Sequence, residues 1–259
     1  MFPKYYISAL DTVISMDGLV FCLGMAAAIV WSYFRLKTLP GVDARFVVVR
    51  LAFWSVMLGL LGARITYVLL YPELFGPELV RLLYVPGLAV FGSLPGLAVA
   101  VLVTAWQTRV SGWHIADVLA PPIALMIAFK RVGCWLAGCC YGLSTNLPWA
   151  AHYPQSHVTH GVGVHPVPVY EILLLLILLP FLLRLSGATE PRGTLAPGTV
   201  ACVFLLAYGL IRFVLEFVRA DSLPTALFAP FSVFQVVGIF VATLALCWLA
   251  DNRPKRKSI

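Results

Sequence analysis

Long apolar runs of about the same length recur from one end of this chain to the other. A helix of about 20 apolar residues is needed to cross the ~30 Å hydrocarbon core of a bilayer. Of the 259 residues, 61% are hydrophobic and 11% are charged, whereas soluble domains carry roughly 25% charged residues. The pattern therefore predicts an all-α, polytopic membrane protein with seven transmembrane helices. The predicted spans are 18–34, 46–71, 86–106, 115–136, 167–185, 198–218 and 227–250.

Lysine and arginine in short loops set the orientation of such a protein, because both are enriched on the cytoplasmic side. The basic tail 251–259 is therefore predicted to be cytoplasmic, and seven spans then place the N-terminus outside. The link 141–166 becomes an external loop, and residues 1–259 are expected to form a single integral membrane domain. The net charge of +7 reflects this orientation, so no nucleic-acid partner is expected.

Two short stretches place charge at the ends of apolar runs, where an isolated ion costs several kcal/mol. Lys130 and Arg131 lie near the end of the fourth span. In the sixth span Arg212, Glu216 and Arg219 share one helical face at i, i+4 and i+7. Arg131 and Arg212 should both reach the outer half of the membrane, so we predict one anion site in which guanidinium forks bind a phosphate. The alternative is an Arg212–Glu216 ion pair that binds no ligand.

Three further titratable residues lie near the ends of predicted spans. Asp117 in the fourth span and Glu171 in the fifth are expected to stabilise the starts of their own helices through the helix dipole. His165 precedes the fifth span and would accept a thiol proton if it reached the site. The alternative for His165 is a solvated loop histidine.

Glycine and proline interrupt the third span five times. Irregular backbone at membrane depth survives only where it is buried in protein or lines a wet cavity. The segment 91–96 is therefore predicted either to face the site or to form a kink with tight packing. The interrupting residues are Pro86, Gly87, Gly92, Pro95 and Gly96.

Six cysteines are present, and three of them lie singly in apolar spans, where they are interpreted as small buried apolar residues. Cys134, Cys139 and Cys140 lie together at the end of the fourth span. Close packing, a disulfide and a soft-metal site completed by histidines are the three interpretations. The spacing matches no standard zinc motif, so packing is favoured and no metal or other cofactor is predicted. The single cysteines are Cys22, Cys202 and Cys247.

In their order along the chain, these motifs resemble the prolipoprotein diacylglyceryl transferase family, bacterial inner-membrane enzymes that start lipoprotein maturation. The resemblance covers nearly the whole chain. The segments that carry it are 62–69, the glycine-broken third span, 116–121, 131–142, His165-Pro166 with Tyr170-Glu171, Arg212-Phe213 with Glu216-Phe217 and Arg219, and Ser232 with Gln235.

The resemblance implies transfer of the diacylglyceryl group from phosphatidylglycerol to the lipobox cysteine thiol of a preprolipoprotein, with release of glycerol phosphate. Arg131 and Arg212 would hold the phosphoglycerol head, and Glu216 would orient Arg212. The implied partners are this lipid, the lipobox peptide and the bilayer of the bacterial cytoplasmic membrane. The predicted catalytic residues are Arg131, Arg212, Glu216 and His165, and the predicted substrate-binding residues are Arg131, Arg212, Gly142, Tyr170, Glu171, Gly92 and Gln235.

Three alternatives to this function remain open at the level of the sequence. A diverged family member would act on a different acceptor, and a non-catalytic protein would bind or transport lipid. A thiol oxidoreductase would require a redox-active Cys139 or Cys140.

The chain also departs from the family pattern, and the changes remove polar groups that would contact the head group or handle the thiol proton. Phe91 replaces the family histidine, and Asp17 replaces a tyrosine. Ser93 and Phe234 each replace a glycine. Asparagines and a glutamate of the family pattern are replaced by Cys134, Ala137 and Cys139.

Overall fold

The computed structural model describes residues 5–7, 12–14, 16–70, 90–188, 195–220 and 231–252. Helices dominate these ranges, and two short antiparallel strand pairs accompany them, so the all-α prediction is confirmed in its main part. The helices are α1 (Met16–Leu36), α2 (Ala44–Leu70), α3 (Val90–Thr108), α4 (Gly112–Ala137), α5 (Val167–Ala188), α6 (Thr199–Glu216) and α7 (Val233–Asp251). The strands are β1 (Tyr5–Ile7) with β2 (Thr12–Ile14), and β3 (Ala151–His152) with β4 (Gly163–Val164).

Five of the described helices, α1, α2, α5, α6 and α7, are long and apolar enough to cross a membrane. The chain is therefore a multi-pass membrane protein. The apolar part of α3 that the structure describes, Gly92–Thr108, is shorter, and α4 carries Asp117, Lys130 and Arg131. The count of seven spans and the orientation stay predictions, and all of the basic tail beyond residue 252 lies outside the described residues.

The outer faces of these helices are apolar, because lipid rather than water surrounds them. Leu23 on α1 and Phe240 on α7 are among the exposed large side chains. Cys22 and Cys247 are exposed on the same two helices, and Cys202 is buried. The prediction of a buried cysteine is thus confirmed for Cys202 and wrong for the other two, since an apolar side chain in a membrane span is equally stable facing lipid.

The chain divides into two compact units, of which one comprises Ser32–Ala116 and the other Met1–Trp31 with Asp117–Ile259. In the first of these, α2 and α3 pack through small residues. A Cβ atom on Gly62 would collide with the carbonyl oxygen of Gly92, and one on Gly92 with that of Gly62. Side chains as small as glycine allow helices in membranes to approach this closely.

The segment 91–96 is helical throughout, so the predicted irregular backbone is wrong. The tight packing of the alternative is present at Gly92 and Gly96, while its kink and a position facing the site stay predictions. Pro95 lies in the second turn of α3, where its missing N–H removes one backbone hydrogen bond near the helix start. The close contact with α2 holds this turn in place. Pro86 and Gly87 lie outside the described residues.

In the other unit, α4, α5 and α6 share one apolar core. Alanines spaced four residues apart along α4 leave room for larger side chains of α5 and α6. Beyond this core, the C-terminal ends of α4 and α6 and the N-terminal end of α5 lie together, which places their charged residues side by side. The core consists of Ala120, Ala124, Ala128, Leu175, Leu182, Val200 and Phe204.

Asp117 anchors the opposite end of this unit. Its carboxylate accepts backbone hydrogen bonds from Gly198 at 2.6 Å and from Ala201 at 2.9 Å. The expectation that Asp117 stabilises the start of its own helix is therefore wrong, because the helix start that it stabilises is that of α6. The acid lies in the second turn of α4, too far along to meet that helix's own free N–H groups.

Candidate functional site

A buried carboxylate, Glu171, forms the centre of a charged network between α4, α5 and α6. Its Oε2 atom lies 2.9 Å from Nε of Arg131 and 3.3 Å from Nη1 of Arg212. Its Oε1 atom accepts a 2.9 Å hydrogen bond from the hydroxyl of Tyr208. The Arg131 contact is an ion pair without a directed hydrogen bond at Nε. One acid with no exposed side-chain surface thus fixes two arginines from different helices.

Arg212 continues the network along α6. Its Nη2 donates a 3.0 Å hydrogen bond to Oε2 of Glu216. Nε of Arg219 lies 3.7 Å from the same oxygen. The ring of Phe234 lies 4.8 Å from the Arg212 guanidinium and 5.8 Å from that of Arg219, within the range of cation–π attraction.

The side chains of the network are buried. Counted over the described residues that it links, three guanidiniums face two carboxylates, and every one of these side chains is at most 12% exposed. Within the described residues, Oε1 of Glu216 is a buried acceptor with no hydrogen-bond partner. A buried acceptor without a hydrogen-bond partner costs roughly 1–3 kcal/mol. The arrangement therefore suits a ligand that offers a hydrogen-bond donor to this oxygen.

The structure adds one pairing for these residues and corrects one expectation. Arg131 has no acid close in sequence, yet Glu171 of α5 pairs with it. Glu171 is the fifth residue of α5 and lies past the first turn, so its partners are the two arginines rather than the helix dipole. The predicted Arg212–Glu216 ion pair is present, and it is one part of the larger network.

Gly142 lies where three backbone segments meet. Its N–H donates to the carbonyl oxygen of His165 at 2.9 Å, and it pairs with Arg219 in an antiparallel bridge. A Cβ atom at Gly142 would meet the carbonyl oxygen of Val218 and the Cβ of His165. Glycine is required here because it lets the segments that carry His165 and Arg219 approach. Direct contact between Gly142 and a substrate stays a prediction.

His165 belongs to a chain of hydrogen bonds in the same loop region. Nε1 of Trp149 donates to the hydroxyl of Tyr170 at 2.8 Å, and this hydroxyl lies 3.2 Å from Nδ1 of His165. Because the hydroxyl oxygen of Tyr170 accepts the hydrogen bond from Trp149, the hydroxyl hydrogen is available for a hydrogen bond to Nδ1 of His165. A neutral imidazole then carries its proton on Nε2. Trp149 and Tyr170 also line a cleft of about 920 Å³.

Gln235 and Gly92, two predicted substrate contacts, have structural partners. Gln235 forms a capping box with Ser232 at the start of α7, and its Nε2 donates to the carbonyl oxygen of Phe213 at 3.5 Å. Gly92 packs against Gly62 in the other unit. A role for Gln235 or Gly92 in substrate binding stays a prediction. The side chain of Phe91, which replaces the family histidine, lies outside the described residues.

Comparison with known proteins decides the family. The family model described as prolipoprotein diacylglyceryl transferase matches residues 5–250. The chain belongs to the prolipoprotein diacylglyceryl transferase family. The predicted resemblance is confirmed, and so is the predicted class of enzyme, a transferase of lipoprotein biosynthesis.

Individual relatives align with the chain over nearly its whole length. It is 33% identical over 245 residues to the phosphatidylglycerol–prolipoprotein diacylglyceryl transferase of Bordetella parapertussis, covering 92% of this chain and 90% of the relative. The protein of the same name from Dehalococcoides mccartyi is 28% identical over 249 residues, covering 95% and 92%. That from Aeromonas salmonicida is 30% identical over 244 residues, covering 92% and 86%.

The three clustered cysteines, two of which replace polar residues of the diacylglyceryl transferase pattern, gather beside Arg131. Cys134, Cys139 and Cys140 are free thiols, and their sulfur atoms all lie within 4.8 Å of one another. Nη1 of Arg131 lies 3.7 Å from Sγ of Cys140 and 4.0 Å from Sγ of Cys134. The structure thus has no disulfide among these three, and their proximity goes beyond the packing of small residues.

The charges and hydrogen bonds around the thiols change their acidity. Hydrogen bonds from Cys134 and Cys139, with the positive charge of Arg131 and Arg219, hold the pKa of Cys140 below its ordinary value. Hydrogen bonds with the two other thiols raise the pKa of Cys139. Burial, with a smaller effect of negative charge on the nearby thiols, raises the pKa of Tyr153 to about 12.

Three residues of this candidate site were not predicted from the sequence. Tyr208 lies four residues before Arg212 on the same helical face, and that spacing could have revealed it. Phe234 was visible as a departure from the family glycine, and the structure places its ring beside two guanidiniums. Trp149 lies in an irregular loop, where no periodicity indicates a partner.

Proposed function

We propose that this chain transfers the diacylglyceryl group of phosphatidylglycerol to the lipobox cysteine thiol of a preprolipoprotein. The names of its relatives supply the lipid and the prolipoprotein. The proposal for this chain is supported by the buried guanidiniums of Arg131 and Arg212, which Glu171 holds side by side. The phosphodiester of phosphatidylglycerol bears one negative charge, which guanidinium groups bind through paired hydrogen bonds.

In the proposed reaction, the thiolate sulfur attacks the glyceryl carbon that bears the phosphate ester. A thioether bond forms, the carbon–oxygen bond breaks, and its electron pair leaves on glycerol phosphate. The phosphate group gains negative charge as this bond breaks. Arg131 and Arg212 are already held in place by Glu171, so they would stabilise that charge without reorganising in the transition state.

Glu216 is proposed to contribute to recognition of the head group. Its Oε2 atom holds Arg212 and Arg219, while its buried Oε1 has no partner among the described residues. A hydroxyl of the glycerol head would satisfy this acceptor. A lipid whose head group has no hydroxyl would leave the acceptor buried and unpaired, which costs roughly 1–3 kcal/mol.

The thiol proton is proposed to pass to His165. Nδ1 of this ring is the unprotonated nitrogen when the Tyr170 hydroxyl donates to it. A thiol proton would therefore reach Nδ1 through the Tyr170 hydroxyl, with Trp149 holding that hydroxyl in position. His165 and Tyr170 would then act together as one general base.

The proposed site requires the predicted membrane arrangement. We place the protein in the bacterial cytoplasmic membrane with α3 and α4 completing seven spans, the N-terminus outside and the tail 251–259 inside. The loop 141–166 then lies outside, and the network lies in the outer half of the bilayer. Lipid head groups of the outer leaflet would reach it directly.

The test is a transfer reaction with purified protein, phosphatidylglycerol labelled in an acyl chain, and a lipobox peptide. Labelled thioether peptide and an equal amount of glycerol phosphate are expected from the wild type. The exposed Arg184 on α5 provides a matched control, because Arg184→Ala should retain this activity while Arg212→Ala loses it. Lipid binding without any labelled peptide would overturn the transfer reaction and favour a different acceptor or a non-catalytic lipid-binding role.

A further inference from the structure

The three thiols at the end of α4 have the composition and proximity of a metal site. The sulfur atoms of Cys134, Cys139 and Cys140 all lie within 4.8 Å of one another. A metal–sulfur bond of about 2.3 Å places three sulfurs around one trigonal ion roughly 4 Å apart. Small rotations of the side chains would bring the observed thiols to that spacing. We propose that these three cysteines bind one Cu(I) ion in three-coordinate geometry.

The local backbone aims the thiols toward one point. Helix α4 ends at Ala137, and Gly138 follows with φ 74°. The N–H of Cys139 then donates to the carbonyl oxygen of Cys134 at 3.1 Å, which folds the chain back over the last turn. Cys140 has φ 59°, a left-handed conformation that non-glycine residues adopt rarely and often at functional sites. The turn brings residues five and six positions apart onto the same side.

The choice of ion follows from the number of protein ligands that the described residues offer. Structural zinc sites are almost always four-coordinate, so zinc would need a fourth ligand besides the three sulfurs. His157 is the candidate, because its ring contacts Gly138 beside Cys139. Its Nε2 donates to the carbonyl oxygen of Gly138 at 2.9 Å, and its Nδ1 accepts from the N–H of Thr159 at 3.2 Å. Neither nitrogen offers a free lone pair. Within the described residues, three sulfurs therefore remain as ligands, a set that favours Cu(I), which soft thiolates select.

Charge supports the same assignment. Binding of Cu(I) to the three thiol groups releases three protons to solvent and leaves a complex with two negative charges. Nη1 of Arg131 lies 3.7 Å from Sγ of Cys140 and 4.0 Å from Sγ of Cys134, which places a guanidinium charge beside the sulfurs. A thiolate–copper complex would therefore lie beside compensating charge. The site does not depend on the proposed transferase activity, since it requires only the thiols and their fold.

The test is anaerobic titration of the purified protein with Cu(I) in competition with a chromophoric Cu(I) chelator and a non-thiol reductant. Three proteins are compared: the wild type, a variant with Cys134, Cys139 and Cys140 changed to Ser, and a matched variant with Cys22, Cys202 and Cys247 changed to Ser. The wild type and the matched variant should each bind one ion. The site variant should bind it roughly a hundredfold more weakly or not at all.

A single change guards against loss of folding in the triple variant. Cys139 is exposed, so Cys139→Ser should unfold at the wild-type temperature while its Cu(I) affinity falls about tenfold or more. X-ray absorption of the wild-type complex should show three sulfur neighbours. Equal binding by the wild type and the site variants, or no competition with the chelator by the wild type, would overturn the proposal.

Discussion

Arg131 and Glu171 form a buried ion pair across two helices, with Nε of the arginine 2.9 Å from Oε2 of the acid. The residues are 40 positions apart, and the carboxylate has no exposed side-chain surface. The same oxygen also pairs with Arg212. Glu171 therefore fixes the positions of two guanidiniums in the absence of a ligand. The position of the proposed phosphate site depends on this acid.

Replacing Glu171 with Gln should destabilise the protein, because two buried arginines would lose their shared negative charge. Removing one partner of a buried ion pair costs about 3–5 kcal/mol, so a clear drop in the midpoint of thermal unfolding in detergent is expected. The exposed Arg184 provides a control in the same helix, since Arg184→Gln should leave the midpoint unchanged. An unchanged midpoint in Glu171→Gln would show that the pair contributes nothing to folding.

Tyr208→Phe removes one hydroxyl that donates to Oε1 of Glu171. Hydrogen bonds to charged groups contribute roughly 1.5–3 kcal/mol, and the loss should appear as reduced stability against denaturant. In a double-mutant cycle with Glu171→Gln, the double variant should lose less stability than the two single variants together, because both changes remove the same contact. Full additivity would mean that the hydroxyl and the acid act independently.

Two glycines of α2 make a matched pair for testing how α2 and α3 pack. A Cβ atom at Gly62 would meet the backbone of Gly92, whereas one at Gly59 meets nothing within 4 Å. Gly62→Ala should therefore destabilise the protein by about 1–3 kcal/mol. Gly59→Ala should be neutral or stabilising, since alanine favours a helix. Equal thermal stability of the two variants would contradict the close contact.

Arg212→Lys should reduce transfer activity strongly although the charge is kept. The guanidinium donates to Glu171 and Glu216 through different nitrogens and lies against Phe234, and a single ammonium cannot reproduce this geometry. Loss of one or two such hydrogen bonds corresponds to about a tenfold to hundredfold lower rate. Transfer activity is measured as the rate of peptide labelling. Wild-type activity in Arg212→Lys would argue against a bidentate role of the guanidinium.

Part of this site could be predicted from the sequence, because some of its order is local. The i, i+4, i+7 spacing of Arg212, Glu216 and Arg219 predicted a common face, and the structure joins all three. The pairing of Arg131 with Glu171 depends on how α4 packs against α5, which no local spacing encodes. The sulfur cluster likewise depends on the left-handed conformation of Cys140. The apolar runs predicted the helices. Pro95 led to a wrong prediction of irregular backbone, because helix packing overrides the tendency of proline to interrupt a helix.

The buried arginines are proposed to bind the phosphate of a phospholipid head group. The most direct test is the equilibrium affinity of the purified protein for short-chain phosphatidylglycerol, measured by calorimetry for the wild type, Arg131→Ala and Arg184→Ala. The wild type and Arg184→Ala should bind this lipid with equal affinity, and Arg131→Ala should bind it at least about tenfold more weakly. Equal affinity in all three proteins would show that the lipid phosphate binds elsewhere.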